Sequence, residues 1–341
     1  MDNKEWFRNA KFGMMAHWGL YSILGGEYKG RRVNDYAEWI QCFMPIKNEE
    51  YSQLAKVFNP IYFNADEWIK LAKDSGMQYF VFTSKHHDGF AMYHSKVDKF
   101  NIVDATLFGR DVTAELAEAC YKYGLKLGLY YSQELDWHHP HGGGYDNFDY
   151  CSGVSWDNSW DYPDRTKKNF DICFEEKIKP QVKEILTGYG DLALIWFDVP
   201  HTITPAQSLE LNHLVKEYQP DCLINSRIGN GAYDYVSLND NEYPAKRGKA
   251  DPSIDPNSLS GFKVSPYDLY ETPATMNSSW GYKPFDSNYL KAEEIAKRRK
   301  KLNDLGINFL LNVGPDPLGR IPSLCAEELL KAFSIDLNHI K

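Results

Sequence analysis

Short apolar runs alternate along the chain with longer stretches of helical period, a pattern that predicts successive strand and helix units around a mainly parallel sheet. The apolar runs fall at 12–18, 79–85, 125–132, 192–198, 222–227, 234–240, 269–275 and 307–313. That is eight, the number of strands that closes a barrel. Helical patterns fall at 49–57, 65–75, 111–123, 167–188, 205–218, 289–304 and 323–337. Asn64-Ala-Asp-Glu67 and Thr204-Pro205 read as helix starts, and Gly76, Gly124, Gly188 and Gly306 lie just past four helix ends. Several connections hold no helix of regular length. The expected architecture is therefore α/β: one domain over 1–341, built as a distorted (β/α)8 TIM-like barrel.

Two long segments interrupt the alternation. Residues 134–166 contain Gly142-Gly-Gly144, three Trp and many Asp and Asn, while 243–268 contain four Pro and two Gly. Both follow strand ends, so both are expected to cover the rim where a barrel carries its chemistry.

Composition narrows the possibilities. A chain of 341 residues with 43% hydrophobic and 25% charged residues can bury a large core. A formal charge of -9, from 47 acids against 38 bases, argues against a nucleic-acid partner. The longest basic run, Lys297-Arg-Arg-Lys-Lys301, lies in a helical pattern and reads as a solvated face. Cys42, Cys120, Cys151, Cys173, Cys222 and Cys325 are scattered singly and read as thiols. No apolar stretch approaches the roughly 20 residues that span a bilayer, and the N-terminus lacks an apolar signal core. A cytoplasmic location without a membrane partner is expected. Aromatics at 15% are abundant, and stacking on sugar faces is one use for them beside core filling.

The candidate chemistry gathers at strand ends. Leu192-Ala-Leu-Ile-Trp-Phe-Asp198 is an apolar strand with a carboxylate at its tip, a costly place for an acid without a task. Ala16-His17-Trp18-Gly19 and Lys85-His86-His87-Asp88-Gly89-Phe90 bring imidazoles to the same rim. Further strand ends supply Tyr130-Tyr131-Ser132, Asn225-Ser226-Arg227, Asp240-Asn241-Glu242 and Glu271. Glycoside hydrolysis needs two carboxyl groups flanking the scissile bond, and Asp198 with Asp240, Glu242 or Glu271 meets that need. Asp240 and Glu242, two apart, share a face if the segment is extended. The structural alternative for each acid is an ion pair with Arg227, Arg247 or Lys85 that merely fixes the rim.

Five collinear motifs carry a resemblance. Lys11-Phe-Gly-Met-Met-Ala-His-Trp-Gly-Leu-Tyr21, Lys85-His-His-Asp-Gly-Phe90, Gly128-Leu-Tyr-Tyr-Ser132 with Asp136-Trp-His138, Trp196-Phe-Asp198, and Asn308-Phe-Leu-Leu-Asn-Val-Gly-Pro315 look like the motifs of α-L-fucosidases of glycoside hydrolase family 29. The match runs from about residue 6 to 335. The resemblance implies retaining hydrolysis of terminal α-L-fucose through a covalent fucosyl-enzyme, with Asp198 as nucleophile and no cofactor or metal. It implies that His17, His86, His87 and Trp196 hold or frame the sugar, with Glu38, Trp39, Tyr131 and Arg227 at further matching positions. Trp196 or Trp280 would pack on the apolar sugar face. The family does not keep its proton donor at one sequence position, and the ranking here is Asp240, then Glu271, then Glu242. The chain is also similar to short bacterial members, some acting on fucose α-1,6-linked to N-acetylglucosamine, and it lacks the β-sandwich that follows the barrel in larger members. That lack leaves the long loops, or a neighbouring subunit in a homo-oligomer, to supply contacts to the rest of a fucosylated glycan.

Two rival readings stand beside this one. A metal-dependent barrel hydrolase would draw ligands from His86-His87 and His138-His139-Pro-His141. Adjacent residues of an extended strand point to opposite faces, so His86 and His87 would share an ion only where the strand has ended. The other rival is a non-catalytic fucose-binding protein on the same scaffold.

Overall fold

A computed structural model describes residues 2–145 and 156–335. Eight strands form one all-parallel sheet: β1 Phe12–Ala16, β2 Tyr79–Lys85, β3 Lys126–Tyr131, β4 Leu192–Phe197, β5 Leu223–Ile224, β6 Val236–Ser237, β7 Tyr270–Thr275 and β8 Ile307–Val313. Their spatial order is β5-β4-β3-β2-β1-β8-β7-β6, so each strand pairs with its neighbour in sequence except where the first, β1, meets the last, β8, and the sheet curls on itself. Its ends meet through a bridge between Asn225 and Tyr235, reinforced by the Asp234 N–H donating to the Ile224 carbonyl at 2.8 Å. The architecture is the expected distorted barrel.

Near-continuous apolar strands are what a parallel sheet buried on both faces requires. Alternation then sorts the side chains. Met15, Tyr79, Val81, Tyr130, Leu194, Trp196 and Leu310 pack together in the barrel interior. Their neighbours Met14, Phe80, Phe82, Tyr131, Ile195, Phe197, Phe309 and Leu311 join the larger core under the helices. Two glycines make the interior fit: a Cβ on Gly13 would lie 2.4 Å from the Tyr79 ring, and one on Gly128 would lie 2.6 Å from Leu194. The helix Asn3–Ala10 closes the bottom of the barrel, where Phe7 rests 4.6 Å from the Tyr235 ring centroid.

The outer helices follow local signals. Asn64 accepts from the Glu67 N–H, and Thr204 forms a capping box with Gln207 ahead of Pro205. Gly124 ends Val112–Tyr123 in a left-handed conformation. Four expectations need correction. The strands expected at 222–227 and 234–240 shorten to two residues each, because the chain turns through a single 3-10 turn at Ser226–Ile228 and no α-helix separates β5, β6 and β7. The helix expected at 167–188 is Phe170–Cys173, a π turn at Phe174–Ile178, then Lys179–Gly188. Pro180 lacks the N–H that an unbroken α ladder would need there. The helix expected at 49–57 divides into Asn48–Tyr51 and Gln53–Val57, and that at 289–304 begins at Ala292. The helix Asn3–Ala10 and a small ribbon, Glu27–Tyr28 against Arg31–Arg32, escape the periodicity argument because both are short. Cys151, residues 336–337 of the last expected helix and 146–155 of the first long loop lie outside the described residues.

Candidate active site

The C-terminal ends of the strands surround a cavity of about 330 Å³ whose wall includes His17, Glu38, Trp39, His86, Trp196, Asp198, Arg227, Asp240 and Trp280. Nine residues expected at the site therefore meet in one place. Trp156 from the first long loop and Leu259 from the second also line it, so both segments reach the rim.

Asp198 follows β4 and is buried to 9% exposure. Its Oδ1 accepts from Arg227 at 3.0 Å, its Oδ2 accepts from the Tyr130 hydroxyl at 3.0 Å, and its backbone N–H donates to Gln133 at 2.8 Å. Burial pushes the carboxyl above its ordinary range, and the Arg227 guanidinium opposes that push. Arg227 also donates to Asp240, so one guanidinium ties two acids together at the cavity wall. Burial works against the Arg227 charge, but the two carboxylates outweigh it and hold the guanidinium more firmly protonated than usual. Its plane lies 4.7 Å over the Trp196 ring. The ion-pair alternative for these acids is thus realised with Arg227, and it coexists with access to the cavity. Lys85 is instead paired with Asp136 at 3.0 Å, and Arg247 with Asp268.

The imidazoles are neutral hydrogen-bonding groups here. Burial lowers His17 to about 3 and drives His86 and His87 well below the ordinary histidine range. Charge beside Asp198 comes from the Arg227 guanidinium, not from an imidazolium. His17 Nδ1 lies 2.8 Å from the Asn312 carbonyl oxygen, while the Asn312 amide nitrogen donates to the Trp280 carbonyl at 2.7 Å. That network assigns the proton to Nδ1 and leaves Nε2 as an acceptor. In the same way Ser132 donates to the Leu135 carbonyl and receives His87 Nδ1 at 2.7 Å, leaving His87 Nε2 unpaired 3.8 Å from Asp198. His86 Nδ1 is also buried without a partner. Unpaired buried nitrogens beside a cavity are free to bond an occupant that brings hydrogen-bonding groups.

β2 ends at Lys85, so the condition for His86 and His87 to share a side is met: their ring centroids are 4.1 Å apart. The other histidines of the metal rival do not join them. His138 stacks on Phe100 at 4.2 Å, and His141 Nδ1 accepts from the Asn169 N–H. Among the described residues no three His, Cys, Asp or Glu side chains converge in a metal-holding group.

Glu38 is buried with its Oε2 accepting from Gly281 N–H at 2.8 Å and from Ser279, while Oε1 has no partner. Burial raises its carboxyl to about 7. Trp39 stands edge-on to His87 at 4.8 Å.

Of the four expected residues that do not line the cavity, His87 is buried just behind the wall beside Asp198, and three lie elsewhere, each for a geometric reason. Tyr131 points outward, where its hydroxyl donates to Gln181 at 2.8 Å, and alternation gives the inward place to Tyr130. Glu271 is buried below the cavity and accepts from Tyr79 at 2.7 Å and from Trp196 Nε1 at 2.9 Å. It supports the Trp196 indole from beneath, and burial raises its carboxyl to about 7. Glu242 does not share a face with Asp240, because Asn241 adopts φ 56° and turns the chain; its carboxylate accepts from the Asn239 N–H instead. Sequence reasoning also missed Asp35, Tyr36, Phe43, Val199 and Asn239 on the wall. Tyr130 was legible from strand period, whereas Asp35, Tyr36, Val199 and Asn239 sit on irregular segments and Phe43 ends a four-residue helix, none of them with a periodic signal.

Comparison with known proteins agrees with this geometry. A family model described as α-L-fucosidase matches residues 1–334. Over 96% of its length the chain is 27% identical to a putative α-L-fucosidase of Caenorhabditis elegans and 28% identical to the tissue α-L-fucosidase of Mus musculus. It spans 64% and 68% of those relatives, about two thirds of their length. Among solved structures, α-L-fucosidase AlfC from Lactobacillus casei in complex with α-L-fucose is 56% identical with a TM-score of 0.91, covering 98% of both chains. The α-L-fucosidase of Vibrio sp. strain EJY3 is 34% identical with a TM-score of 0.85, covering 97% of this chain and 54% of that one. The fold, the cavity and these matches together place the chain in the α-L-fucosidase family of glycoside hydrolases.

Proposed function

We propose that the chain hydrolyses terminal α-L-fucosides with retention, through a covalent ester on Asp198. The observation that carries this reading is the pair of carboxylates, Asp198 and Asp240, tied to one guanidinium at the wall of a sugar-sized cavity. A shared guanidinium keeps two acids within a few Å of each other, compatible with the separation of about 5–5.5 Å that lets one attack and the other protonate. Asp198 is the attacking group because Arg227 and Tyr130 hold its charged form and orient its oxygens. Asp240, at 23% side-chain exposure, is the proton donor and later the base for water. To act, its carboxyl must turn from Arg227 towards the glycosidic oxygen as substrate fills the cavity.

The acceptor nitrogens of His17 and His87 and the unpaired oxygen of Glu38 would take the sugar hydroxyls, and Trp196 and Trp280 would pack on its apolar face. An aspartate-to-alanine variant of AlfC, 55% identical to this chain, holds Fucα(1,6)GlcNAc, which supports an α-1,6-linked substrate for this chain also. Other AlfC variants are described as fucosyltransferase mutants, which supports transfer to sugar acceptors as a side reaction of the same intermediate. The buried thiols of Cys42, Cys120, Cys173, Cys222 and Cys325 suit a reducing compartment such as the cytoplasm.

Trapping with a fluorinated fucosyl donor followed by peptide mapping is expected to label Asp198. Asp198→Ala is expected to lower turnover of an aryl α-L-fucoside by about 10⁴-fold or more while leaving the fold unchanged. A label on another residue, or near-normal turnover by the folded variant, would overturn the assignment.

A further inference from the structure

Lys85, Asp136 and Lys177 are buried behind the rim, at 0%, 1% and 4% exposure, and none of them lines the sugar cavity. They form a chain of alternating charge. Asp136 lies 3.0 Å from Lys85 and 2.9 Å from Lys177, and Lys177 lies 2.6 Å from Asp98, whose side chain is 23% exposed. Burial opposes the Asp136 charge, but the two ammoniums outweigh it and hold the carboxyl well below the usual carboxylate range. Lys177 occupies a place in the apolar stripe of an outer helix, beside Cys173, Phe174, Ile178 and Val182, within the π turn. Well-packed apolar groups in place of a buried charge network are often neutral or stabilising, so stability alone does not account for these residues.

The two turns that the network grips supply a reason. Segment 132–137 holds His87 at both ends: the Ser132 hydroxyl accepts from Nδ1 at 2.7 Å, and the Trp137 N–H donates to the His87 carbonyl at 2.7 Å. Asp136 stands next to Trp137, and its carboxylate accepts from Lys85 and from the His139 N–H at 3.0 Å. Lys85 immediately precedes His86 and His87, and Lys177 also donates to the Gly89 carbonyl just beyond them at 3.4 Å. Gly89, at φ 78°, admits the carboxylate, since a Cβ there would lie 2.4 Å from Asp136 Oδ1. One carboxylate therefore joins the turn that carries His87 to the segment that holds it.

We propose that Asp136 is a positioning residue for the reaction: clasped by Lys85 and Lys177, it locks the His86–Gly89 turn to segment 132–137 and so fixes His87, whose Nε2 lies 3.8 Å from Asp198. The proposal rests on the fucosidase reading. Asp136 acts only through His87, and a displacement of that imidazole by a fraction of an ångström is enough to cost rate.

The test is a double-mutant cycle on hydrolysis of an aryl α-L-fucoside. The variant Lys85→Met/Asp136→Asn removes the inner pair and leaves Lys177 with Asp98, so no buried charge is left alone. It is expected to lower kcat/KM about tenfold, and by less than about twofold in a protein that already carries His87→Ala. Equal losses in the two backgrounds, or no loss in the first, would overturn the proposal. Should that variant fail to fold, Lys177→Met, which keeps Lys85 paired with Asp136, is measured in the same two backgrounds, with a loss of about threefold expected only where His87 is present. Should the unmodified protein fail to turn over the fucoside, the fucosidase reading falls by itself, and nitrogen NMR of the labelled histidines decides the clasp. The signal missing from His87→Ala identifies His87; it is expected to report a proton on Nδ1 in the unmodified protein and to shift in the double variant, and an unchanged signal would overturn the clasp.

Discussion

At the scale of single residues, Glu38 is the acid on the cavity wall that burial brings to neutrality. Its carboxyl sits at about 7 because burial outweighs the hydrogen bonds from Gly281 and Ser279. Below that value Glu38 is a neutral acid, and above it a carboxylate whose unpaired oxygen accepts a sugar hydroxyl more strongly. The KM for an aryl fucoside is therefore expected to fall as pH rises through about 7, and Glu38→Gln is expected to flatten that dependence. A profile unchanged by the substitution would assign the ionisation elsewhere. His17, lowered to about 3, adds no titration in this range. Much of this was readable beforehand, since His17, His86, Asp198, Arg227 and Asp240 each stand where an apolar run gives way to polar residues. The choice between Tyr130 and Tyr131 was decided by which of two adjacent tyrosines faces inward, and the motif alone did not carry that phase. Which of Asp240, Glu242 and Glu271 reaches the cavity depends on a left-handed Asn241 and on depth in the barrel, neither of which periodicity encodes.

At the scale of elements, two adjacent side chains after β3 govern the segment after β4. Gln133 accepts from the Asp198 N–H at 2.8 Å and donates to the Arg227 carbonyl at 2.8 Å, so it fixes the backbone of both members of the ion pair. Glu134, buried, accepts from the N–H groups of His201 at 2.6 Å and Ile203 at 3.0 Å and from that of Thr202. Between these anchors Val199 adopts φ 56°, a conformation that a β-branched residue takes only when its surroundings impose it. Glu134→Ala leaves three backbone donors unpaired and releases that turn. It is expected to cost about 3 kcal/mol or more in stability and, through displacement of Asp198, to lower kcat by about 10²-fold with a smaller change in KM. Glu134→Gln, which keeps one acceptor oxygen, is expected to fall between the two proteins. Thermal unfolding with parallel kinetics checks this: a lowered melting temperature with normal kcat would leave Glu134 a purely structural group. No sequence signal pointed to this clasp, because its partners lie more than 60 residues apart and the strand pattern ends before it begins.

At the scale of the whole molecule, the barrel is strong on one side and thin on the other. β1 to β4, β7 and β8 are five to seven residues long and pair along their length, whereas β5 and β6 are two residues each and meet through a bridge. Sequence reading found all eight runs because parallel strands are apolar on both faces, and overextended the two that are short by carrying each run on into the polar residues at its end, Ser226-Arg227 and Asn239-Asp240, where the chain has already left the sheet. The thin side is braced from below by the helix Asn3–Ala10. Phe7 packs against Tyr235, which stands at the bridge, and also approaches Tyr79 at 6.3 Å, while the Phe7 carbonyl accepts from Asn308 at 2.7 Å. Asn3 donates to the Asp221 carbonyl, tying the same helix to the approach of β5. Phe7 is thus a plug that joins the closing bridge to the rest of the barrel floor, at the end of the barrel opposite the sugar cavity. Phe7→Ala is expected to cost about 3–5 kcal/mol, the range for an aromatic ring removed from a packed interior. Because the cavity lies at the other end, the folded variant is expected to keep a near-normal KM at low temperature and to lose activity on warming earlier than the unmodified protein. Urea unfolding followed alongside turnover measures both. A stability loss confined to a few tenths of a kcal/mol would mean that the bottom of the barrel relaxes around the missing ring, and that the bridge between β5 and β6 closes the sheet without this plug.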